Sequence, residues 1–304
     1  MKLSGSGENW IIKMAILLKA KPVLSEIYTQ LKLDIARLEK KPYLEIILIG
    51  ENAAAEWYVS NLQKKGKRYD IKVNLRRFSV NITQLELENK IIELNNDKSI
   101  DGIMLQKPLP DQIDEHVINS LISPLKDVDG FHPVNLGKLM LEQPALLPCT
   151  PQAVIEILRF YQIETTGKHV VILGRSNIVG KPLGLLFLNK TLQGNATVTT
   201  CHSKTENLPA ITLQADILIA AIGKPEFVKP EMIKDNSIII DVGTNLIKDS
   251  SGNDKYVGDV DAEAVYDKAS ALSPVPGGVG SVTTALLLTN VVKSVKLNQK
   301  KLFY

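Results

Sequence analysis

One stretch of the sequence joins residue types that suit the binding of a phosphate group. The apolar run Val170–Leu173, typical of a buried strand, ends at Gly174, and a helical pattern begins near Gly180 and Pro182. This order predicts a turn in which backbone N–H groups and a helix N-terminus face one point, as a pyrophosphate requires. The glycine spacing is G-x-x-x-x-x-G rather than the usual G-x-G-x-x-G, so an ordinary strand–turn–helix corner is the alternative interpretation.

The end of the following predicted strand indicates which dinucleotide would bind at this turn. NAD sites usually carry an acidic residue there, which bonds the ribose hydroxyls. This chain has Cys201–Thr205 (CHSKT) instead, and Arg175 lies in the preceding turn. The missing acid, together with Arg175 and Ser203, favours the extra phosphate of NADP. The alternative is that Arg175 and Lys204 are solvated surface charges.

The elements that would position this turn alternate between helical and strand-like patterns. Helices are predicted over Pro22–Lys40, over Glu56–Asp70, after a capping box at Thr83–Glu86, and over Thr283–Leu297. Short apolar or alternating runs predict seven strands, at Tyr43–Ile49, Ile71–Phe78, Gly102–Leu105, Val170–Leu173, Ala196–Thr200, Ile217–Ala221 and Ser237–Asp241. Such alternation predicts an α/β fold with parallel sheets and right-handed crossovers.

Composition limits the class of protein and of partner. The 304 residues include 36 Lys+Arg and 33 Asp+Glu, and the resulting formal charge of +3 gives no indication of a nucleic-acid or anionic-membrane partner. No apolar run approaches the roughly 20 residues that span a bilayer. Two cysteines, Cys149 and Cys201, suit a reducing cytoplasm, and the four histidines lack the spacing of metal ligands. We therefore predict a cytoplasmic protein with no metal site.

A change of pattern divides the chain into two domains. The alternation of helices and strands pauses at Pro124–Pro151, which is rich in proline and glycine, and then restarts. A length of 304 residues also suits two domains. We place the boundary near residues 147–151, and the last helix could pack back on the first domain.

Several further motifs follow one another in an order that resembles a known family. In chain order they are Gly50 with Tyr58-Val59, Asp101–Pro110, Lys126–Pro133, Pro148–Pro151, Gly174–Pro182, Thr197–Thr205, Asp241–Gly243 and Pro274–Gly280. From about Met14 onward the series resembles the methylenetetrahydrofolate dehydrogenase/cyclohydrolase family. Each motif is weak alone, whereas the ordered series is highly specific.

The resemblance implies the fold and its division. Residues 14–150 plus 282–304 would form an α/β folate-binding catalytic domain, and residues 151–281 a Rossmann-type NAD(P)-binding domain. The C-terminal helix would return to the first domain. Met14 resembles the usual start of the family, so residues 1–13 are predicted to be a tail. A homodimer is also implied.

The resemblance implies an activity in one-carbon metabolism. Family members pass a hydride from 5,10-methylenetetrahydrofolate to NADP, and many then hydrolyse the methenyl product to 10-formyltetrahydrofolate. The hydride step chiefly requires that folate and nicotinamide are positioned, whereas hydrolysis needs a positioned acid or base. The implied partners are therefore a small-molecule folate and NADP, with NAD left open.

Site residues follow from the family motifs position by position. Tyr58 resembles the tyrosine that stacks on folate, Gln106 the glutamine beside a catalytic lysine, and Asp129 the acid that binds the pterin. Pro276-Gly277-Gly278 would bring backbone close to folate and nicotinamide. The residues implied to bind the dinucleotide are Gly174, Arg175, Ser176, Ile178, Gly180, Pro182, Ser203 and Gly243. Without the resemblance, Asp129 would be interpreted as a turn aspartate before a glycine.

The chain departs from the family pattern at one position that matters for hydrolysis. The family has Tyr-Val-x-x-Lys, and here Leu62 occupies the place of the lysine. Lys65 lies about 60° from Leu62 around the helix and one turn further along, and Lys107 stands beside Gln106. We predict that the dehydrogenase is retained and that the cyclohydrolase is weak or absent.

Three other interpretations stay open at this point. The enzyme could be fully bifunctional, with Lys107 or Lys65 as the base, although Lys107 is more simply a solvent-facing loop lysine. It could be a catalytically impaired homologue that only binds folate and nucleotide. It could also be another two-domain NADP dehydrogenase, such as one that acts on shikimate-like substrates.

Overall fold

The structure is a computed structural model in which residues 15–301 are described. The predicted tail at residues 1–13 lies outside the described residues. Among the helices of residues 15–301, none combines the length and the apolar character that crossing a membrane requires.

The first half of the chain surrounds a small parallel sheet. Its elements are β1 Ile16–Leu17, α1 Ala20–Ile35, β2 Tyr43–Ile49, α2 Ala53–Arg68, β3 Lys72–Phe78, α3 Gln84–Asn96, β4 Gly102–Leu105, α4 Glu115–Leu121 and α5 Pro133–Met140. The sheet order is β3-β2-β4, with both pairs parallel. The central strand, β2, is buried from Leu44 to Ile49 because helices cover both faces of the sheet.

The second half surrounds a larger parallel sheet. Its elements are α6 Cys149–Phe160, β5 His169–Leu173, α7 Gly180–Leu188, β6 Thr197–Cys201, α8 Leu208–Thr212, β7 Ile217–Ala220, β8 Ile238–Asp241, β9 Asn245–Lys248, β10 Asp254–Val257, α9 Ala262–Val265, β11 Ala271–Leu272 and α10 Val279–Lys301. The sheet order is β1-β11-β8-β7-β5-β6. The sheet therefore includes Ile16–Leu17, two residues that the predicted division assigns to the first domain.

The last helix joins the two halves. α10 follows the second sheet and packs against α6 and α1, as the predicted return of this helix requires. The side-chain amide of Asn290 donates to the carbonyl oxygens of Val128 (2.8 Å) and Leu147 (2.9 Å). It thereby fixes the loop of the first half that carries Asp129.

Most predicted elements are confirmed, and the exceptions have physical reasons. All seven predicted strands form within one or two residues of their predicted ends, and the capping box at Thr83 and Glu86 is present. The predicted pause at Pro124–Pro151 is wrong in part, because α5 forms there with Pro133 in its first turn. The antiparallel pair β9–β10 was not predicted, since its largely exposed residues lack apolar alternation.

Candidate functional site

Helix α2 carries the tyrosine predicted to stack on folate. The side chain of Asn52 caps the helix by accepting a hydrogen bond from Ala55 N (2.9 Å). Tyr58 is half-buried beside the apolar face of the helix. Burial raises the pKa of the Tyr58 phenol, and the nearby carboxylate of Asp129 raises it further. The two residues are therefore neighbours, although they are far apart in sequence.

The same helix places Leu62 in the core. Leu62 is 0% exposed and belongs to the buried face of α2. Lys64 is exposed, and Lys65 is half-buried with its pKa lowered by desolvation. The position at which the resemblance predicts a lysine thus holds an apolar side chain that packs in the interior.

A buried carboxylate shapes the loop that presents Asp129. Asp127 accepts hydrogen bonds from the backbone N–H groups of Gly130 (3.2 Å), Phe131 (3.2 Å) and His132 (2.8 Å). The Asn135 side chain adds a fourth, at 2.9 Å. These bonds wrap the loop around Asp127 and leave Asp129 as the carboxylate that can serve a ligand.

Asp129 itself has an unusual environment. It is half-buried, and its carboxylate accepts no hydrogen bond from the described residues. Desolvation raises the pKa of Asp129 to about 7, with a further contribution from the Asp127 carboxylate, while the Lys107 ammonium acts in the opposite direction. A carboxylate without a partner in a desolvated site suits a ligand that donates N–H groups.

Gln106 lies directly after β4, where its backbone N–H bonds Ile47 O at 2.9 Å. Its side-chain Nε2 donates to the carbonyl oxygen of Lys107 (2.9 Å), whereas its Oε1 is buried and has no partner among the described residues. The ammonium of Lys107 forms an ion pair with Glu115 and lies 4.9 Å from the ring centroid of Phe131. Lys107 is therefore a paired, partly buried side chain and not a free solvent-facing lysine.

The loop with Pro276-Gly277-Gly278 joins the start of α1 to the start of α10. Ala20 N donates to Gly277 O at 2.8 Å, so this loop holds the first turn of α1. A Cβ on Gly278 would lie 2.4 Å from Pro274 O. The Thr284 hydroxyl, in the first turns of α10, interacts with the Tyr58 phenol. The loop therefore lies close to Tyr58 on α2.

The glycine turn after β5 is packed too tightly for any other residue. A Cβ on Gly180 would lie 2.1 Å from Gly174 O, and one on Gly174 would lie 2.2 Å from Ala221 O. Gly174 also has a φ of +125°, which favours glycine. The Ser176 hydroxyl accepts a hydrogen bond from Val179 N (3.1 Å) and so closes the turn.

A cavity of about 290 Å³ opens beside this turn, at the carboxyl ends of β5, β6 and β7. Gly174, Arg175, Ser176 and Ser203, four of the residues predicted to bind the dinucleotide, line it. Lys224 also lines it, and the lining contains no carboxylate. A cavity with two cations and hydroxyl groups suits an anionic ligand such as a sugar phosphate.

Three other residues predicted to bind the dinucleotide, Ile178, Pro182 and Gly243, do not line this cavity. Ile178 and Pro182 line a separate cavity of about 420 Å³ between α7 and the α4–α5 region. Gly243 follows β8, where its N–H donates to Asp241 at 2.9 Å. A Cβ on Gly243 would lie 2.2 Å from an oxygen of Asp259.

Family models match both halves of the chain. The model for the tetrahydrofolate dehydrogenase/cyclohydrolase catalytic domain matches residues 18–129. The model for the NAD(P)-binding domain of the same family matches residues 148–299. The chain belongs to the tetrahydrofolate dehydrogenase/cyclohydrolase family.

Individual members of the tetrahydrofolate dehydrogenase/cyclohydrolase family are similar over most of their length. The bifunctional protein FolD of Oceanobacillus iheyensis is 47% identical, over 93% of this chain and 98% of its own. The structure of bifunctional FolD from Campylobacter jejuni has a TM-score of 0.87 and 42% identity, over 93% of this chain and 99% of that chain. The Trypanosoma brucei dehydrogenase–cyclohydrolase, in complex with NADP and an inhibitor, has a TM-score of 0.86 and 35% identity, over 94% and 98%.

Membership of the tetrahydrofolate dehydrogenase/cyclohydrolase family confirms the resemblance. The alternative of a dehydrogenase that acts on shikimate-like substrates is therefore wrong.

Three supporting residues were not predicted. Asp127 organises the Asp129 loop, Asp259 accepts hydrogen bonds from the N–H groups of Ile222 (2.6 Å) and Gly223 (2.9 Å), and Lys224 lines the nucleotide cavity. In the sequence, Asp127 lies two residues before Asp129 in the same motif. Asp259 and Lys224 each directly follow a glycine.

Proposed function

We propose that this protein oxidises 5,10-methylenetetrahydrofolate to 5,10-methenyltetrahydrofolate with NADP, and that its cyclohydrolase step is weak or absent. Leu62, wholly buried at the position of the family's lysine, is the observation that carries the second part. The Asp129 carboxylate, which lies near Tyr58 and accepts no hydrogen bond within the described part of the chain, supports the first part.

The residues of the nucleotide site fit NADP. Gly174 and Gly180 form a backbone cradle that a Cβ would fill, and Arg175 and Ser203 line a cavity that has no carboxylate. Arg175, Ser203 and Lys224 would hold the additional phosphate. NADP, when bound, supplies the hydride acceptor.

Folate binding follows from the groups of the first half. The ionised carboxylate of Asp129 would accept two N–H bonds from the pterin, and the ring of Tyr58 would stack on the folate. Gln106 would bond the folate from the end of β4. Pro276-Gly277-Gly278 leaves room for ligand because it brings backbone, and few side chains, to the site.

Hydrolysis lacks a suitable base. Water must lose a proton and a ring nitrogen must gain one, which calls for a side chain that exchanges protons. Leu62 cannot do this, and the ammonium of Lys107 is engaged by Glu115. Among the residues that the structure describes, Gln106 Oε1 has no hydrogen-bond partner, which supports the loss of the lysine that the family pattern places beside it. The division of the domains, the cytoplasmic location and the homodimer stay predictions.

Separate assays of the two steps test the proposal. NADPH should form from methylenetetrahydrofolate, and supplied methenyltetrahydrofolate should hydrolyse no faster than in buffer. Rapid hydrolysis without NADP would instead support the fully bifunctional alternative. Folate binding without NADPH formation would support the impaired homologue.

Restoring the lysine provides a sharper test. Leu62→Lys should raise the rate of hydrolysis by about a hundredfold, the usual scale of a positioned acid–base group. Since Leu62 is fully buried, the same variant should also unfold at a lower temperature. Leu62→Met, which keeps the side chain apolar, is the matched control. Hydrolysis that stays at the buffer rate in Leu62→Lys would mean that Leu62 is not the position that matters.

The preference for NADP is tested at Arg175. Arg175→Gln should raise the KM for NADP by about tenfold, since it removes a charged hydrogen-bond donor, and should leave the KM for NAD unchanged. Lys204→Gln, an exposed lysine that does not line the cavity, is the control. If the KM for NADP and the KM for NAD rose equally, Arg175 would instead contact the part of the dinucleotide that the two cofactors share.

A further inference from the structure

Two buried aspartates behind the nucleotide cavity have no role in the function proposed above. Asp241 ends β8 and is 2% exposed, and Asp259 lies just after β10 and is wholly buried. Within the described residues, the hydrogen-bond donors to both carboxylates are backbone N–H groups and one side-chain amide, with no cation among them. Burial of a charge is costly unless it is bonded, so the segments that donate these bonds are held firmly.

Asp259 holds both ends of the loop that carries Lys224. Its Oδ2 accepts hydrogen bonds from Ile222 N (2.6 Å) and Gly223 N (2.9 Å). Its backbone carbonyl oxygen accepts a further bond from Val228 N at 2.9 Å. The Lys224 loop, from Ile222 to Val228, is therefore attached to Asp259 on either side of Lys224.

The Lys224 loop forms one wall of the nucleotide cavity. Ile222, Lys224 and Phe227 line this cavity together with Arg175 and Ser203. Lys224 Nζ lies 5.4 Å from the ring centroid of Phe227, a distance at which the ring attracts an ammonium. The cations of Lys224 and Arg175 thus border the same cavity, and both suit a phosphate.

Asp241 in turn holds the segment that carries Asp259. Its carboxylate accepts hydrogen bonds from Asp259 N (3.0 Å) and Val260 N (2.9 Å). A Cβ on Gly258 would lie 1.8 Å from Asp241 Oδ2, so the two segments are in close contact. The two aspartates therefore form a chain of contacts from β8 to the Lys224 loop.

We propose that Asp259 is a positioning residue for NADP, which holds the Lys224 loop so that the Lys224 ammonium reaches the additional phosphate. This inference rests on the proposed function, which assigns that phosphate to the cavity. Asp259 is wholly buried and does not line the cavity, so it acts through Lys224 and not by contact with the cofactor. NAD has no such phosphate, and its affinity should therefore depend little on Asp259.

Equilibrium binding of two nucleotides tests this inference. Adenosine 2′,5′-bisphosphate carries the additional phosphate, and adenosine 5′-monophosphate lacks it. In Asp259→Ala, calorimetry should show that the Kd for the bisphosphate rises about tenfold, the scale of one charged hydrogen bond, whereas the Kd for the monophosphate changes little. The KM for NADP should rise by a similar factor, while kcat and the KM for methylenetetrahydrofolate should change little.

Asp259→Asn provides the conservative comparison. Its amide oxygen can still accept hydrogen bonds from Ile222 N and Gly223 N. The Kd for the bisphosphate should therefore stay within about threefold of the value for the unmodified protein.

Asp261→Ala is the matched control for stability. Asp261 lies two residues after Asp259, where it bonds Lys229 (2.8 Å) and caps α9 through Ala264 N (3.2 Å), and it does not line the cavity. Its loss should lower the unfolding temperature and leave both Kd values unchanged. If Asp259→Ala behaved in the same way, Asp259 would have a structural role only, and the inference would be overturned.

A double variant tests whether Asp259 acts through Lys224. Lys224→Gln alone should raise the Kd for the bisphosphate about tenfold. Its addition to Asp259→Ala should raise the Kd by less than about twofold further, because both changes remove the same contact. Independent effects would multiply to about a hundredfold and would overturn the inference.

Asn245→Ala tests the same contact if Asp259→Ala does not fold. This variant removes only the side-chain amide that bonds Asp259 Oδ1 at 2.9 Å. It should weaken binding of the bisphosphate by about threefold when Lys224 is present, and it should have no effect in the Lys224→Gln background. Equal losses in both backgrounds, or a loss in neither, would overturn the inference.

The outcomes separate this inference from the proposed function. Without NADPH formation from methylenetetrahydrofolate, the proposed function would be overturned, and the two nucleotides would still test the Lys224 loop. NADPH formation with an unchanged Kd for the bisphosphate in Asp259→Ala would overturn this inference alone. Equal rises of the Kd for both nucleotides would also overturn it, since the loop would then contact the part that the two nucleotides share.

Discussion

Two carboxylates only two residues apart have opposite roles because their surroundings differ. Asp127 is buried and accepts four hydrogen bonds from its own loop and from Asn135, so it fixes the backbone. Asp129 accepts none from the described residues, and its pKa is raised to about 7. The first residue holds the loop, and the second is left free for a ligand.

The raised pKa of Asp129 predicts how folate binding depends on pH. If the ionised carboxylate accepts the pterin N–H groups, then protonation below pH 7 removes the acceptor. The KM for methylenetetrahydrofolate should rise up to tenfold per pH unit between about pH 7 and pH 5.5 and stay flat above about pH 8. The Asp127 carboxylate raises the pKa of Asp129 and the Lys107 ammonium lowers it, so both charges influence the midpoint of this profile.

Asp129→Asn provides the control for this pH profile. It should bind the folate weakly at every pH, because an amide presents one acceptor and repels a second donor. Its KM should lose the dependence between about pH 5.5 and pH 7 that the ionisation of Asp129 produces. A variant profile that keeps the same slope would assign the titration to another group.

At the scale of elements, helical phase decides which side chains of α2 can do chemistry. Val59, Leu62 and Gly66 face the core, while Tyr58 lies at the edge of that face and meets the site. Lys64 and Arg68 are exposed. Because a helix has a fixed period, the spacing in the sequence is enough to predict that Tyr58 and Leu62 lie on neighbouring parts of one face.

The glycine turn and the helix after it offer a matched pair of substitutions. Gly180→Ala would place a Cβ 2.1 Å from the backbone oxygen of Gly174, so the turn must open. We expect the free energy of unfolding to decrease by about 3 kcal/mol and the binding of NADP to weaken. Gly184→Ala lies one turn later, where the nearest atom, Ile172 Cδ1, is 3.8 Å away.

Gly184→Ala should leave NADP binding unchanged and raise the stability by about 0.5–1 kcal/mol, since alanine favours a helix interior. Chemical denaturation and NADP titration of both variants measure the two effects. If both substitutions were equally tolerated, the packing of Gly174 against Gly180 could not be what requires glycine in this turn.

Local signals predict the strands and the glycine turn, and they miss what depends on distant contacts. The apolar run Tyr43–Ile49 needs nothing beyond its own pattern, and its predicted bounds are those of β2. The cavity residue Lys224 looks like an ordinary surface charge in the sequence. Only the fold brings Lys224 and Arg175 to one cavity.

At the scale of the whole molecule, the two halves exchange elements. The strand Ile16–Leu17 leaves the first half to pair with Ala271–Leu272, and α10 returns from the second half to pack on α1 and α6. Parallel pairing of the first strand with the last requires the whole intervening chain to fold, so no short sequence window could have predicted it. This exchange positions the loop at Pro276 and Gly277 beside the start of α1.

The raised pKa values of two acids, Asp129 and Asp241, predict that the stability of the protein falls as pH rises from about 5 to 7. The pKa of Asp129 and the pKa of Asp241 are both raised to about 7, mainly by desolvation, above the usual 3.8. Between those pH values the folded protein binds protons that the unfolded chain has already lost. Protonation therefore stabilises the folded state most below the unfolded pKa, and this contribution disappears as pH rises through about 7.

Each such acid can lower the free energy of unfolding by at most about 1.4 kcal/mol per pH unit in this window. Acids with lowered pKa, such as Asp216, act in the opposite direction but only at lower pH, where they titrate. The unfolding temperature of the ligand-free protein should thus decrease from about pH 5 to pH 7. Asp129→Asn should decrease less steeply, whereas Asp111→Asn, an exposed control, should follow the unmodified protein. A temperature that is constant or rises over this range would show that these carboxyls ionise near their ordinary pKa in the folded state, and the pH dependence expected for folate binding would lose its basis as well.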